Sequence, residues 1–131
     1  MDSVSSKVGV RMIKFNFEGN DILPRIMPKK YPELLRYEGK FTIKIENRIF
    51  FYESDFPIFE FILFVDDWIK NDREKMLYNS MELDDNPLIS FYKKDEGWII
   101  ESKWKLFVCK ISFKRKDLER EIELLKQSMG Y

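Results

Sequence analysis

The stretch FPIFEFILFVDDWIK, residues 56–70, decides how this chain is read. It is an apolar run interrupted by Glu60 and closed by Asp66-Asp67. A membrane span needs about 20 apolar residues, so a run of this length with a carboxylate inside it does not read as one. At 100° per residue, Ile58, Phe61, Ile62, Val65, Trp68 and Ile69 share one arc of a helical wheel, wide enough to cover a sheet. Ser54 or Asp55 is the expected cap, with Pro57 tolerated in the first turn. The wheel puts Glu60, Asp67, Lys70 and Asn71 on the opposite, solvent side. Phe59, Leu63 and Phe64 share that half. Either residues 72–87 or the C-terminal helix cover them, or they form an apolar patch rimmed by acids that meets a partner.

Outward from this helix, periodicity assigns the remaining elements. In RMIKFNFEG, Ile13, Phe15 and Phe17 alternate with polar residues as in a half-buried strand. NDILPRIMPKKYPE carries three prolines and reads as an irregular connection. KFTIKIENRIFFYE reads as a hairpin turning near Glu46-Asn47-Arg48. MLYNS offers one short strand within a polar excursion. PLISFYKK, GWIIES and KLFVCKISF then predict a three-stranded meander, with Gly97 supplying the positive φ of a bulged turn. KDLEREIELLKQSM places Leu118, Ile122, Leu125 and Met129 on one helical face, with Gly130 past its end. Grouped strands favour the α+β class. The expected fold is a single antiparallel sheet of five to six strands with two helices packed on one face. One domain over residues 1–131 is expected, with residues 1–8 as a flexible tail.

The composition excludes chemistry more readily than it assigns it. The chain has no histidine and one cysteine, so imidazole catalysis, internal disulfides and CxxC sites are absent. Cys109 is in phase with Phe107, Ile111 and Phe113 and reads as a small core hydrophobe. Adjacent acids such as Asp66-Asp67 diverge on a helix, and Asp84-Asp85 lies in a turn without calcium-loop spacing. No phosphate-loop or nucleophile-elbow motif occurs. These readings argue against an enzyme and against a bound cofactor or metal. No signal-peptide pattern opens the chain, so a cytoplasmic location is expected.

Net charge is zero, yet residues 53–87 carry ten acidic groups against three basic ones. Lys103, Lys105, Lys110, Lys114, Arg115 and Lys116 lie near Trp104 and Phe107. That mixture raises a nucleic-acid reading, against which the zero net charge weighs.

Taken in order, YPELL…EGKFTIKIENRIFFYESDFPIFEFILFVDDWI…GWIIESKW resembles a group of small proteins from low-GC Gram-positive bacteria. GWIIES, a further strand and an amphipathic helix also resemble immunity proteins that neutralise polymorphic toxins. The resemblance covers residues 30–127. It implies a small cytoplasmic protein that binds and blocks one toxin domain, and it carries over no site residue. Read with the charge pattern, the expected contact surface is Phe59, Glu60, Leu63, Phe64, Asp66, Asp67, Asp72, Glu74, Glu82, Asp84 and Asp85. An acidic surface there would steer a basic toxin domain. The alternatives are a homo-oligomeric structural or regulatory domain, and nucleic-acid binding through the basic C-terminal meander.

Overall fold

Alternating apolar residues produce the first sheet. In the computed structural model, residues 12–20, 37–81 and 85–130 are described. β1 (Ile13–Gly19) pairs antiparallel with β2 (Glu38–Ile45), which pairs antiparallel with β3 (Arg48–Pro57). Ile13, Phe15, Phe41, Ile43 and Ile45 are buried on one face. The β2–β3 turn falls at Glu46 and Asn47, with φ of 50° and 66°. Two successive positive φ values match the right-handed twist of the strands, and asparagine tolerates that region well.

β3 is longer than its partner because it carries two bulges. The register shifts once between Ile43 and Lys44 and again between Gly39 and Phe41. At the first shift Phe50 has no ladder partner, and its carbonyl accepts from the Leu106 amide at 2.8 Å. Phe50 and Phe51 are consequently both buried. Phe50 meets Phe107 at 5.5 Å, whereas Phe51 packs on Phe41 and Phe56.

α1 (Ile58–Lys70) begins directly after β3. Pro57 occupies the N-cap position and no side chain caps the helix. Ser54 and Asp55, the expected caps, instead belong to β3, where the Asp55 amide and Ser54 hydroxyl donate to Glu53. The predicted core face holds: Ile58, Phe61, Ile62, Val65 and Trp68 are buried. Each such side chain removed from water contributes roughly 1.5–3 kcal/mol.

The second sheet is β4 (Lys75–Tyr78), β5 (Ile89–Lys94) and β6 (Gly97–Ser102), antiparallel in that order. The expectation of one five- to six-stranded sheet is therefore overturned, although the α+β class stands. Two physical causes account for the split. The chain leaves β3 directly into α1, and the strand after that helix, β4, pairs with β5 and not with β3. KLFVCKISF, residues 105–113, forms no strand and contributes one bridge, Phe113 to Trp98. Both helices contact the first sheet, α1 at β2 and α2 at β1, and α1 also reaches the second sheet. Phe61 of α1 touches Phe41 and Phe56 of the first sheet and Tyr78 and Phe91 of the second. α2 (Arg115–Ser128) lies against β1 and buries Leu118, Ile122 and Leu125.

Gly97 is required for a different reason than expected. Asp95, with φ of 56°, takes the left-handed conformation of the β5–β6 turn. A Cβ on Gly97 would sit 2.6 Å from that of Ser112, so glycine lets the segment before α2 approach β6. The expected tail at 1–8 and most of the proline-rich connection lie outside the described residues. No described helix is long and apolar enough to cross a membrane.

Candidate functional site

The C-terminal half of α1 and the neighbouring strand β4 frame an open groove of about 590 Å³. Phe64, Trp68, Met76 and Leu77 supply apolar lining, and Asp67, Asp72, Arg73, Glu74 and Lys75 supply charge. The helix positions Phe64 and Asp67 nearly one turn apart. A turn with Asp72 at φ 48° then redirects the chain into β4.

The predicted contact residues separate on inspection. Glu60 does not face solvent. It is buried, and its carboxylate accepts from the Tyr78 hydroxyl at 2.7 Å and the Met81 amide at 3.3 Å. The wheel misplaced it because β4 folds over that side of α1 and brings a donor to it. Phe59 is buried beside Tyr37, with ring centroids 5.9 Å apart. Phe64 is partly covered by Tyr78 at 5.4 Å. Of the three apolar residues on that half, Leu63 remains 38% exposed. Leu77 on β4 is exposed to the same 38%.

The acids are placed in a charge mosaic. Asp66 pairs with Lys126 of α2. Asp67 pairs with Arg73 and accepts from Asn71 at 2.8 Å. Those partners hold the Asp67 carboxyl below its usual range, with the Arg73 hydrogen bond as the largest cause. Asp72 lies 3.3 Å from Arg115. Glu74 is exposed beside the groove. Asp85 sits elsewhere and accepts from the Trp104 indole at 2.7 Å. Glu82 and Asp84 lie outside the described residues. An acidic segment in sequence thus becomes a surface of alternating sign in space.

Sequence reasoning did not connect the α2 cations Arg115 and Lys126 with this acidic segment. Arg115 stacks on Trp68 at 4.2 Å and donates to the carbonyls of Trp68 at 2.9 Å and Arg73 at 3.2 Å. It also pairs with Glu119 at 2.9 Å. The bond to Trp68 places a positive charge on a last-turn carbonyl of α1, and the bond to Arg73 holds the segment that follows the helix. The indole N–H of Trp68 is buried with no hydrogen-bond partner among the described residues. No local signal links Arg115 to Trp68, since they are 47 positions apart.

The basic meander is not assembled. Lys105 pairs with Glu101 at 3.0 Å, Arg115 at the start of α2 is engaged by the Trp68 carbonyl of α1, and Lys103, Lys110, Lys114 and Lys116 are exposed. Cys109 is buried and its thiol donates to the Ile111 carbonyl at 3.2 Å. Among the described residues no three metal-ligating side chains converge.

Residues 13–130 match the model of a family described as a domain of unknown function, DUF7878. No curated protein and no solved structure matches the chain. Since the match spans both sheets and both helices, the chain belongs to that family.

Proposed function

We propose that this chain is a non-enzymatic protein-binding module, and specifically an immunity-type inhibitor that holds a toxin domain against its α1–β4 face. The groove beside Phe64 and Leu77 carries the reading. Its lining is apolar, and its charges alternate in sign and are fixed by ion pairs. A folded protein surface can complement such a mosaic, whereas a polyanion would favour uniformly basic lining. The resemblance to immunity proteins adds the class of partner. Because Asp66, Asp67 and Asp72 are already paired, affinity rests on the apolar lining and shape more than on long-range steering.

The test uses the C-terminal domain of the protein encoded immediately upstream of this chain. A one-to-one complex on size exclusion with light scattering is expected, together with restored growth of cells expressing that domain. Leu77→Glu should abolish both, because it charges the groove wall without touching the core. Charge reversal at Asp66, Asp67, Asp84 and Asp85 measures the acidic contribution. An upstream domain that neither binds nor is neutralised would overturn the proposal. So would a dilution-resistant homodimer that buries Leu63.

A further inference from the structure

The outer face of the first sheet carries a second arrangement, independent of the α1–β4 groove. The register places Asn16, Thr42 and Tyr52 side by side across β1, β2 and β3. An amide, a hydroxyl and a phenol ring therefore form one row on the solvent side. Tyr52 is 47% exposed there. The adjoining row is Lys14, Lys44 and Ile49, and on the other side Lys40 stands opposite Glu18. A shallow depression of about 410 Å³ lies over this region, lined by Asn16, Phe17, Glu18, Lys40, Thr42 and Tyr52.

Two features set this face apart from an ordinary solvated sheet. Lys14 and Lys44 are direct cross-strand partners. Like charges placed opposite each other destabilise a sheet. Neither they nor Lys40 is ion-paired among the described residues. Elsewhere, in contrast, Asp66, Asp67 and Asp72 are each matched with a cation. Lys14 and Lys44 thus form a row of two adjacent positive charges on this face, while Glu18 stands opposite Lys40. Lys40 and Lys44 stand about 13 Å apart along β2, bracketing the row that holds Tyr52.

We propose that this face binds single-stranded nucleic acid. A base stacks on Tyr52 and its edge meets the side chains of Thr42 and Asn16. Lys40 on one side and Lys14 with Lys44 on the other take the flanking phosphates. Stacking on an exposed aromatic beside lysines is how sheet surfaces hold unpaired strands. Glu18 is the carboxylate of these rows, and it offers an acceptor for an exocyclic amine.

Fluorescence anisotropy of the full chain with labelled oligo(dT) and oligo(U) of roughly 12 nucleotides tests this. Micromolar binding to at least one strand is expected at about 50 mM salt, with a log–log salt slope near −2 for about three phosphate contacts. Tyr52→Ala should weaken binding about tenfold. Lys14→Glu with Lys44→Glu should remove it, and all three side chains are exposed, so circular dichroism should remain that of the parent. Absence of binding to both strands overturns the proposal. Equal affinity for a duplex, or an unchanged affinity in Tyr52→Ala, removes the stacking role and also overturns it. Competition by polyglutamate at equal charge concentration assigns the face to an acidic protein instead.

Discussion

The guanidinium of Arg115 lies 4.2 Å above the ring of Trp68 and donates to that residue's own carbonyl at 2.9 Å. One side chain thereby fixes the end of α1 and the start of α2. It also lies 5.2 Å from the ring of Trp98, so it joins the second sheet to both helices. Arg115→Lys keeps the charge but loses the planar fork. A loss of about 2–3 kcal/mol in urea unfolding is expected, with a change in tryptophan emission because two indoles flank the site.

The buried pair Glu60 and Tyr78 makes a second test. Tyr78→Phe leaves the Glu60 carboxylate with the Met81 amide as its remaining partner of the two. Removing the donor from a buried acceptor costs about 1–3 kcal/mol. Glu60→Gln should cost less, since an amide oxygen still accepts from the hydroxyl. A double-mutant cycle read by chemical denaturation should give a coupling of about 1 kcal/mol or more. Additive single effects would remove the pair as a stabilising unit.

Glycine replacement separates the two close approaches in the fold. At Gly39 a new Cβ would lie 2.3 Å from the Glu18 carbonyl oxygen, which is backbone. At Gly97 it would meet the Ser112 side chain at 2.6 Å. Gly97→Ala should cost about 1–3 kcal/mol, and Ser112→Gly should recover most of it. Gly39→Ala should cost more, with no side-chain change able to relieve it. Thermal unfolding of the three variants checks the order.

Acid should erase the contribution of the Asp67–Arg73 pair. The folded Asp67 pKa is depressed below 3.8, so its stabilising effect is present above that value and is lost as pH falls through the folded pKa. Asp67→Asn should lower the urea midpoint slightly at pH 7 and leave it unchanged in strong acid. Because both side chains are about half exposed, added salt should shrink the difference at neutral pH.

Much of the local structure was legible because its causes are local. The alternation of Ile13, Phe15 and Phe17, the positive-φ turn at Glu46-Asn47 and the stripe of α2 follow from short-range chemistry. The core face of α1 also follows from its wheel. What failed depended on partners distant in sequence. Glu60 is buried because Tyr78 supplies a hydroxyl from another element. Residues 105–113 alternate like a strand, yet Phe107 packs on Phe50, and Leu106 bonds its carbonyl. The bulge that opened that carbonyl is invisible to periodicity. The acidic surface was misread for a related reason, since Lys126 and Arg115 reach it from α2.

The paired bulges of β3 have an effect on which lengths the family can tolerate. Each extra residue exchanges the two faces of the strand beyond it. Core-phase positions are Arg48 before the first bulge, Phe51 and Glu53 between the two, and Phe56 after the second, so the parity switches and then switches back. Phe56 can therefore face inward immediately before α1 begins. Losing one bulge alone would send the helix off with its apolar stripe outward. Insertions and deletions between positions 49 and 56 should accordingly occur in twos among relatives, with odd changes confined to chains in which the start of α1 has also moved.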